Sequence, residues 1–318
     1  MLTLPEKVLV TEVAPRDGLQ SLGHWVPTDD KVRLIDRLSE VGFPVIEVTA
    51  FAHPRVIPSL RDAEEVCERI ARRKGTVYRG LVPNARGAER AVAAKVDEIL
   101  GLITVSATYL AKNQNMTMNE AVDQGVMAFR IADKHGIAFV MALGMAMWCP
   151  YEGLISQARV CELVRQFRNA GIRRFYLAGS VGMEDPRHVS ELFGRLYDKF
   201  PDIELGYHVH NLAGRGTANV LAALDAGARW IEGSICGLGG GIAMPTTLGS
   251  VGNLATEDIV LMLSEMGIET GLQPSVVVAA ARDVASQLGI QARSYALNTG
   301  TRNDVQEQAR LNPRYHPS

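Results

Sequence analysis

The chain has 318 residues, 47% of them hydrophobic and 21% charged, which is enough to bury a sizeable core without disulfide or metal staples. Thirty-three Lys and Arg against 35 Asp and Glu leave a formal net charge of −2, with no basic excess for a phosphate backbone, so nucleic-acid binding is disfavoured. No uncharged apolar run approaches the roughly 20 residues that span a bilayer, so no membrane partner is expected. Cys67, Cys149, Cys161 and Cys236 are scattered without a Cys-x-x-Cys pair; this points to a reducing compartment and against a disulfide framework or zinc knuckle. The first residues lack an apolar signal core or an Arg/Ser-rich segment, and the last lack a peroxisomal address. The expected location is therefore cytoplasmic.

Short apolar runs, many of them β-branched, occur at residues 8–13, 45–50, 77–82, 98–105, 138–144, 174–178, 204–210 and 229–235. They read as parallel strands buried on both faces. Amphipathic helical patterns separate them at 29–41, 60–73, 85–95, 118–134, 155–170, 186–199 and 217–226, and an eighth begins near Thr256. Gly42, Gly75, Gly136, Gly171 and Gly227 each stand just before the next strand, where a helix C-terminal cap favours glycine. Eight strand–helix units in strict alternation fit a (β/α)8 TIM barrel, an α/β fold; a doubly wound open sheet is the alternative. No linker divides the units, so residues 1–272 are expected to form one barrel domain. Residues 273–318 would be an extension, with a helix at 275–288 and a polar tail from Asn298.

In such a barrel the chemistry sits at the C-terminal ends of the strands. The first strand ends in APRDGLQ, residues 14–20, which puts Arg16 and Asp17 at the mouth as a site or as a plain ion pair. Glu47 lies inside an apolar strand, where a carboxylate costs several kcal/mol unless it is paired or ligates a metal. It reads as a partner of Arg16 or another interior cation, whether as structural glue or as part of the site. The seventh strand ends in His208-x-His210. Residues i and i+2 of a strand share a face, so both imidazoles point inward and, beside Asp17, read as metal ligands. Asp17 and Asn253 would add oxygens, and mixed nitrogen and oxygen ligation suits Mg2+, Mn2+ or another six-coordinate divalent ion. The loop 233–252 holds seven glycines in 20 residues and reads as a lid or as a long connection. Asn253 and Glu257, around the start of the last barrel helix, could point back to the metal.

The motifs TEVAPRDGLQ (11–20), IEVTAF (46–51), CPYEG (149–153), the His208/His210 pair, GLGG (237–240) and GNLATED (252–258) resemble the 3-hydroxy-3-methylglutaryl-CoA lyase family of metal-dependent lyase and aldolase barrels. The similarity runs in order from about residue 8 to residue 271. It implies Asp17, His208, His210 and Asn253 as metal ligands, Arg16 as the stabiliser of a developing enolate, and Glu47 and Glu257 as supporting carboxylates. It also implies Ser106, Asn113 and Asn115 near an acyl-thioester, with Gln20, Gly239 and Gly240 facing the substrate. Asn84 and Arg86 read equally as contacts to a phosphate or adenine and as ordinary loop residues.

Three positions depart from the pattern. Gly241 stands where the family has a loop cysteine, and Cys236, five residues earlier, is no simple substitute. Gly179 replaces an aspartate after the sixth strand, and Asn211 replaces an aspartate after the second histidine.

The implied reaction is metal-dependent retro-Claisen cleavage of a 3-hydroxyacyl-CoA, with His208 as first candidate for the base. The alternatives are an aldolase acting on a non-thioester hydroxy acid, a lyase for a related acyl-CoA, and a silent binding protein that keeps the metal site. A homo-oligomer, dimer or larger, is expected from the resemblance.

Overall fold

A computed structural model describes residues 2–240 and 252–311. The chain runs through β1 (Leu9–Glu12), β2 (Val45–Ala50), β3 (Val77–Val82), β4 (Glu98–Thr104) and β5 (Ala138–Gly144), then a short hairpin of β6 (Trp148–Cys149) and β7 (Gly153–Leu154), and finally β8 (Arg174–Gly179), β9 (Glu204–Val209) and β10 (Trp230–Gly233). Apart from the hairpin these strands close into one barrel, every neighbouring pair parallel and in chain order, with β1 meeting β10. The expected eight-stranded TIM barrel is what forms. A strand such as β2, with every residue buried, needs helices on one face and barrel filling on the other.

The helices are α1 (Thr28–Val41), α2 (Ala63–Arg69), α3 (Ala85–Ala93), α4 (Ala107–Gln114), α5 (Met118–Lys134), α6 (Gln157–Asn169), α7 (Pro186–Lys199), α8 (Gly216–Asp225), α9 (Thr256–Glu265), α10 (Pro274–Leu288), α11 (Tyr295–Thr299) and α12 (Arg302–Leu311). Local chemistry sets their ends. Thr117 and Glu120 form a reciprocal capping box that starts α5, which satisfies two donors the helix leaves orphaned. Gly42, at φ +92°, takes the left-handed turn that stops α1 and would strain any residue with a Cβ.

Three expectations change. The helix expected over 60–73 stops at Arg69 because its next backbone donors are captured from elsewhere. Ala71 N donates to Asp36 Oδ1 at 2.8 Å, and Arg73 N to the Tyr78 hydroxyl at 2.8 Å. A further helix, α4, forms in what reads from sequence as a polar loop. The polar tail from Asn298 is largely helical, closing α11 at Thr299 and, after Gly300 and Thr301, forming α12: Asp304 N donates to Thr301 Oγ1 while Thr301 N donates to Asp304 Oδ2, starting α12, whose residues are all exposed. By contrast Val277, Ala280, Ala281 and Val284 of α10 are buried in the same core as the barrel, and α10 packs on α9 and α1.

The barrel interior carries a charged layer. Arg79, 1% exposed, donates from Nε to Glu98 Oε1 at 2.7 Å and from Nη1 to Glu232 Oε1 at 2.6 Å. Glu47 Oε2 lies 3.9 Å from the same guanidinium, and Arg174 closes on Glu98 from the other side. Such groups survive burial only when paired, and this layer is the floor on which the site stands.

Candidate active site

From Val13 the chain makes one π-helical turn, Ala14–Gly18, and this turn brings Arg16 and Asp17 back over the barrel axis. Both are 6% exposed. Arg16 Nη1 donates to Asp17 Oδ1 at 2.6 Å, and its Nε is bonded to Glu47. Glu47, fully buried, is thus the anchor beneath Arg16. Burial drives its pKa up, opposed by the arginine.

β9 delivers both imidazoles to one face. His208 Nε2 and His210 Nε2 face each other at 3.1 Å, and His210 Nε2 lies 3.7 Å from Asp17 Oδ2. Ligand atoms of Asp17, His208 and His210 all lie within 4.8 Å of one another, and all three residues are buried. Tyr176 stacks on His208 with centroids 5.4 Å apart. His208 Nδ1 faces Glu232 Oε2 at 3.3 Å, so Nε2 is the nitrogen turned towards the others. A bridge between His210 and Asn253 brings the fourth residue in. Asn253 Nδ2 donates to Asp17 Oδ2 and to Leu238 O, both at 2.7 Å. Asn253 Oδ1 is buried with no hydrogen-bond partner among the described residues, although buried polar atoms are normally satisfied.

That orphaned oxygen, one carboxylate and two inward nitrogens are a donor set a divalent cation would complete. The charges agree. Burial alone would raise the Asp17 pKa, yet Arg16, His210 and His208 outweigh it and hold the group below its ordinary range. Burial would likewise raise Glu232, but Arg79 and His208 bring it down to about 2. Both carboxylates are therefore charged at neutral pH.

Above this cluster opens a cavity of about 260 Å³ lined by Arg16, Asp17, Gln20, His208 and His210 at one end. Leu81, Leu102 and Met145 form an apolar wall. Gln20 Nε2 reaches towards Gly240 O at 3.5 Å. Gly239, at φ +144°, presses its backbone on this cluster: a Cβ there would overlap Asn253 Nδ2 and stand 2.8 Å from Asp17 Oδ2.

Other expected positions do different work. Ser106 Oγ caps α4 by accepting from Tyr109 N at 3.1 Å and meets Glu152 Oε1 at 2.8 Å; it is not among the residues lining the cavity. Asn115 is exposed and ends α4 in the left-handed conformation, φ 51°, which asparagine tolerates. Asn113 lies in α4, with its side chain outside the described residues. Asn84 lines the cavity but spends its Oδ1 on capping α3, accepting from Gly87 N at 3.0 Å. Among the described residues Glu257 makes no hydrogen bond to the cluster; it accepts from Cys236 N at 3.1 and 3.2 Å and holds the start of the glycine loop.

Burial raises the Glu257 pKa to about 8 and pushes the Cys236 thiol up as well. Cys236 Sγ donates to Ala281 O at 3.2 Å, so this thiol is committed to α10. Of the loop expected as a lid, 233–252, residues 241–251, Gly241 among them, lie outside the described residues.

Sequence reasoning missed Tyr176, Arg79 and Glu232. Tyr176 had a signal, since it shares the inward face of β8 with Ala178 by the two-residue period. Arg79 and Glu232 carried the signal that Glu47 did, a charge inside an apolar strand, but their pairing spans 153 positions and has no local signature.

Comparison with known proteins places this geometry. The HMGL-like family model matches residues 7–284. The mitochondrial hydroxymethylglutaryl-CoA lyase of Mus musculus is 38% identical over 272 residues, covering 86% of this chain and 83% of that one. The hydroxymethylglutaryl-CoA lyase YngG of Bacillus subtilis is 36% identical over 285 residues, 90% and 94% of the two chains. Among solved structures, an HMG-CoA lyase of Acinetobacter baumannii in complex with coenzyme A and 3-methylmalate superposes with a TM-score of 0.87 at 35% identity, covering 100% of both chains. The chain belongs to the HMGL-like family, that of the hydroxymethylglutaryl-CoA lyases.

Proposed function

We propose that this protein is a divalent-metal-dependent carbon–carbon lyase that cleaves a 3-hydroxyacyl-CoA, of the hydroxymethylglutaryl-CoA type, to acetyl-CoA and a keto acid. The observation that carries the reading is the convergence of Asp17, His208 and His210, with the orphaned Asn253 Oδ1 and the Arg16 guanidinium beside them. In this reading Asp17, His208, His210 and Asn253 hold the cation, Mg2+ or Mn2+. When bound, such an ion supplies Lewis acidity that lowers the pKa of a substrate hydroxyl.

The chain's own residues do the rest. Arg16, fixed by Glu47 and Asp17, presents its remaining guanidinium donors to the acyl oxygen, where negative charge collects as the C2–C3 bond breaks. A preorganised cation at that point stabilises the enolate with little reorganisation. The hydroxyl proton leaves to a base, the C2–C3 electron pair passes to the acyl enolate, and a proton returned to C2 completes acetyl-CoA. His208 offers the cavity only Nε2, because Nδ1 faces Glu232. One nitrogen cannot bind a cation and take a proton at once, so ligation and the base role compete. We assign Nε2 to ligation, which leaves the base to another group at the cavity. Gln20, Gly239 and Gly240 face the substrate in this reading, and the apolar wall excludes water from the enolate.

A second reading, an aldolase acting on a non-thioester hydroxy acid, is favoured by glycine at position 241. Metal-free protein given hydroxymethylglutaryl-CoA with Mg2+ or Mn2+ separates the two. Acetyl-CoA release that chelator abolishes is the expected result; cleavage of free hydroxy acids alone would overturn the thioester reading. Gly241→Cys is expected to raise acetyl-CoA release if the thiol is all that is missing.

The described helices include none long and apolar enough to cross a membrane. All four cysteines are free and buried, which supports a reducing, cytoplasmic location, whereas the mouse relative is named mitochondrial. We further propose a barrel domain over 1–272 and a C-terminal helical extension and tail over 273–318, whose first helix α10 shares the barrel's core, in a homo-oligomer. Val305 and Leu311, 53% and 74% exposed on α12, support self-association, which size-exclusion chromatography tests.

A further inference from the structure

One buried carboxyl group beside the site has no part in the chemistry above. Glu184, on the loop after β8, is 1% exposed. Tyr207 donates its hydroxyl to Glu184 Oε1 at 2.7 Å, and Asn219 Nδ2 of α8 donates to the Glu184 backbone oxygen at 3.2 Å. Tyr207 immediately precedes His208, so the bond grips β9 at the point where it turns its imidazoles inward.

The carboxyl group reaches Tyr207 only because Gly179 has no side chain. A Cβ on Gly179 would overlap Glu184 Oε1 and lie 2.6 Å from Glu184 Cδ. The same loop lies flat against the second histidine. His210 N donates to Gly179 O at 3.3 Å, and a Cβ on Gly182, at φ +75°, would stand 2.5 Å from the His210 carbonyl carbon. Gly179 and Glu184 are thus a matched pair: glycine at one position is the condition for a buried carboxyl at the other. An unpaired carboxyl is costly to bury, and this one is satisfied by the strand that carries both imidazoles.

We propose that Glu184 is a positioning residue of the metal centre, its carboxyl group filling from position 184 the space that a side chain at position 179 would otherwise take, and bracing the Tyr207–His210 segment. The aspartate that the family pattern expects at Gly179 is in this view replaced in space by a residue five positions later. The inference rests on the reading of Asp17, His208 and His210 as metal ligands.

The test moves the carboxyl group between the two positions: Glu184→Ala, Gly179→Asp, and the two together. Each protein is stripped of metal, its melting temperature is measured, and Mn2+ is titrated with paramagnetic resonance detection, which needs no substrate. Glu184→Ala is expected to weaken Mn2+ binding by about tenfold, the low end of the range for residues that orient metal ligands. Gly179→Asp alone should lower the melting temperature, because its side chain meets Glu184. The double variant should regain Mn2+ affinity to within about threefold of the parent and melt above Gly179→Asp.

Unchanged Mn2+ affinity in Glu184→Ala, or a double variant that binds no better than Glu184→Ala, overturns the proposal. Should Glu184→Ala not fold, a folded double variant with near-parental affinity supports the pairing, and an unfolded one overturns it. A parent protein that binds no Mn2+ at all refutes the metal reading itself, a result distinct from parental binding with unaltered variants.

Discussion

Replacing Arg79 by methionine should destabilise the barrel strongly, and by an amount that depends on pH. Methionine keeps an unbranched apolar stem and removes the charged head. Glu98 retains Arg174 and Glu47 retains Arg16, but Glu232 loses the Arg79 guanidinium and keeps the Trp230 Nε1 donor at 2.9 Å. Removing one partner of a buried pair costs about 3–5 kcal/mol, because the other charge is left uncompensated.

The sign with pH follows from Glu232. Arg79 and His208 now bring its pKa down to about 2 against burial; without the guanidinium, burial dominates and the pKa rises above the ordinary carboxylate range. A group raised in the folded state favours folding most when protonated, so the penalty should be full at pH 8 and smaller at pH 5. Guanidinium unfolding followed by circular dichroism, on parent and variant at both pH values, measures it. A loss below about 1 kcal/mol at pH 8, or an equal loss at both pH values, would refute the assignment of Arg79 as the cation on which this layer depends. Adding Glu232→Gln should recover part of the loss, since replacing both partners is far less costly than removing one.

The remaining predictions concern the site and its supports. Asp17→Ala and His208→Ala should each abolish metal-dependent turnover while far-UV circular dichroism stays that of the parent; full activity in either would refute the ligand assignment. Gly239→Ala places a Cβ against Asn253 and Asp17 and should weaken Mn2+ binding at least tenfold, at the low end for changes beside metal ligands; parental affinity by titration would contradict the packing described. Glu12 is fully buried, and burial raises its pKa to about 7 although Ile235 N and Ala14 N donate to it. Being raised, it should remove stability as pH climbs from about 4.5 to 7. Unfolding free energies of the parent and Glu12→Gln should therefore diverge across that window, and a constant difference would count against the shift.

Local periodicity carried the reading of the barrel. Each strand is a short apolar run and each helix an amphipathic one, so the alternation was visible along the chain. The two-residue period likewise put His208 and His210 on one face without any tertiary knowledge. Helix ends were less legible, because Arg69 terminates α2 only when Asp36 and Tyr78 capture the backbone donors that follow it.

The site shows the same division. The resemblance implies Ser106 and Asn115 near an acyl-thioester; what the sequence does not show is that their stretch folds into α4, with these residues at its two ends. Spacing along the chain carries the strand–helix alternation and the inward polar residue types, whereas closure of β1 on β10, which rules out the open sheet, is a long-range pairing. What only the tertiary structure decided was which of those residues meet: Asn253 with Asp17 across 236 positions, Arg79 with Glu232, and Glu184 in the space left by Gly179. Barrel closure brings such residues within a few ångströms, and the low dielectric there makes every unpaired charge or donor costly. The partners are therefore chosen by the three-dimensional arrangement of strand ends, which one-dimensional spacing does not encode.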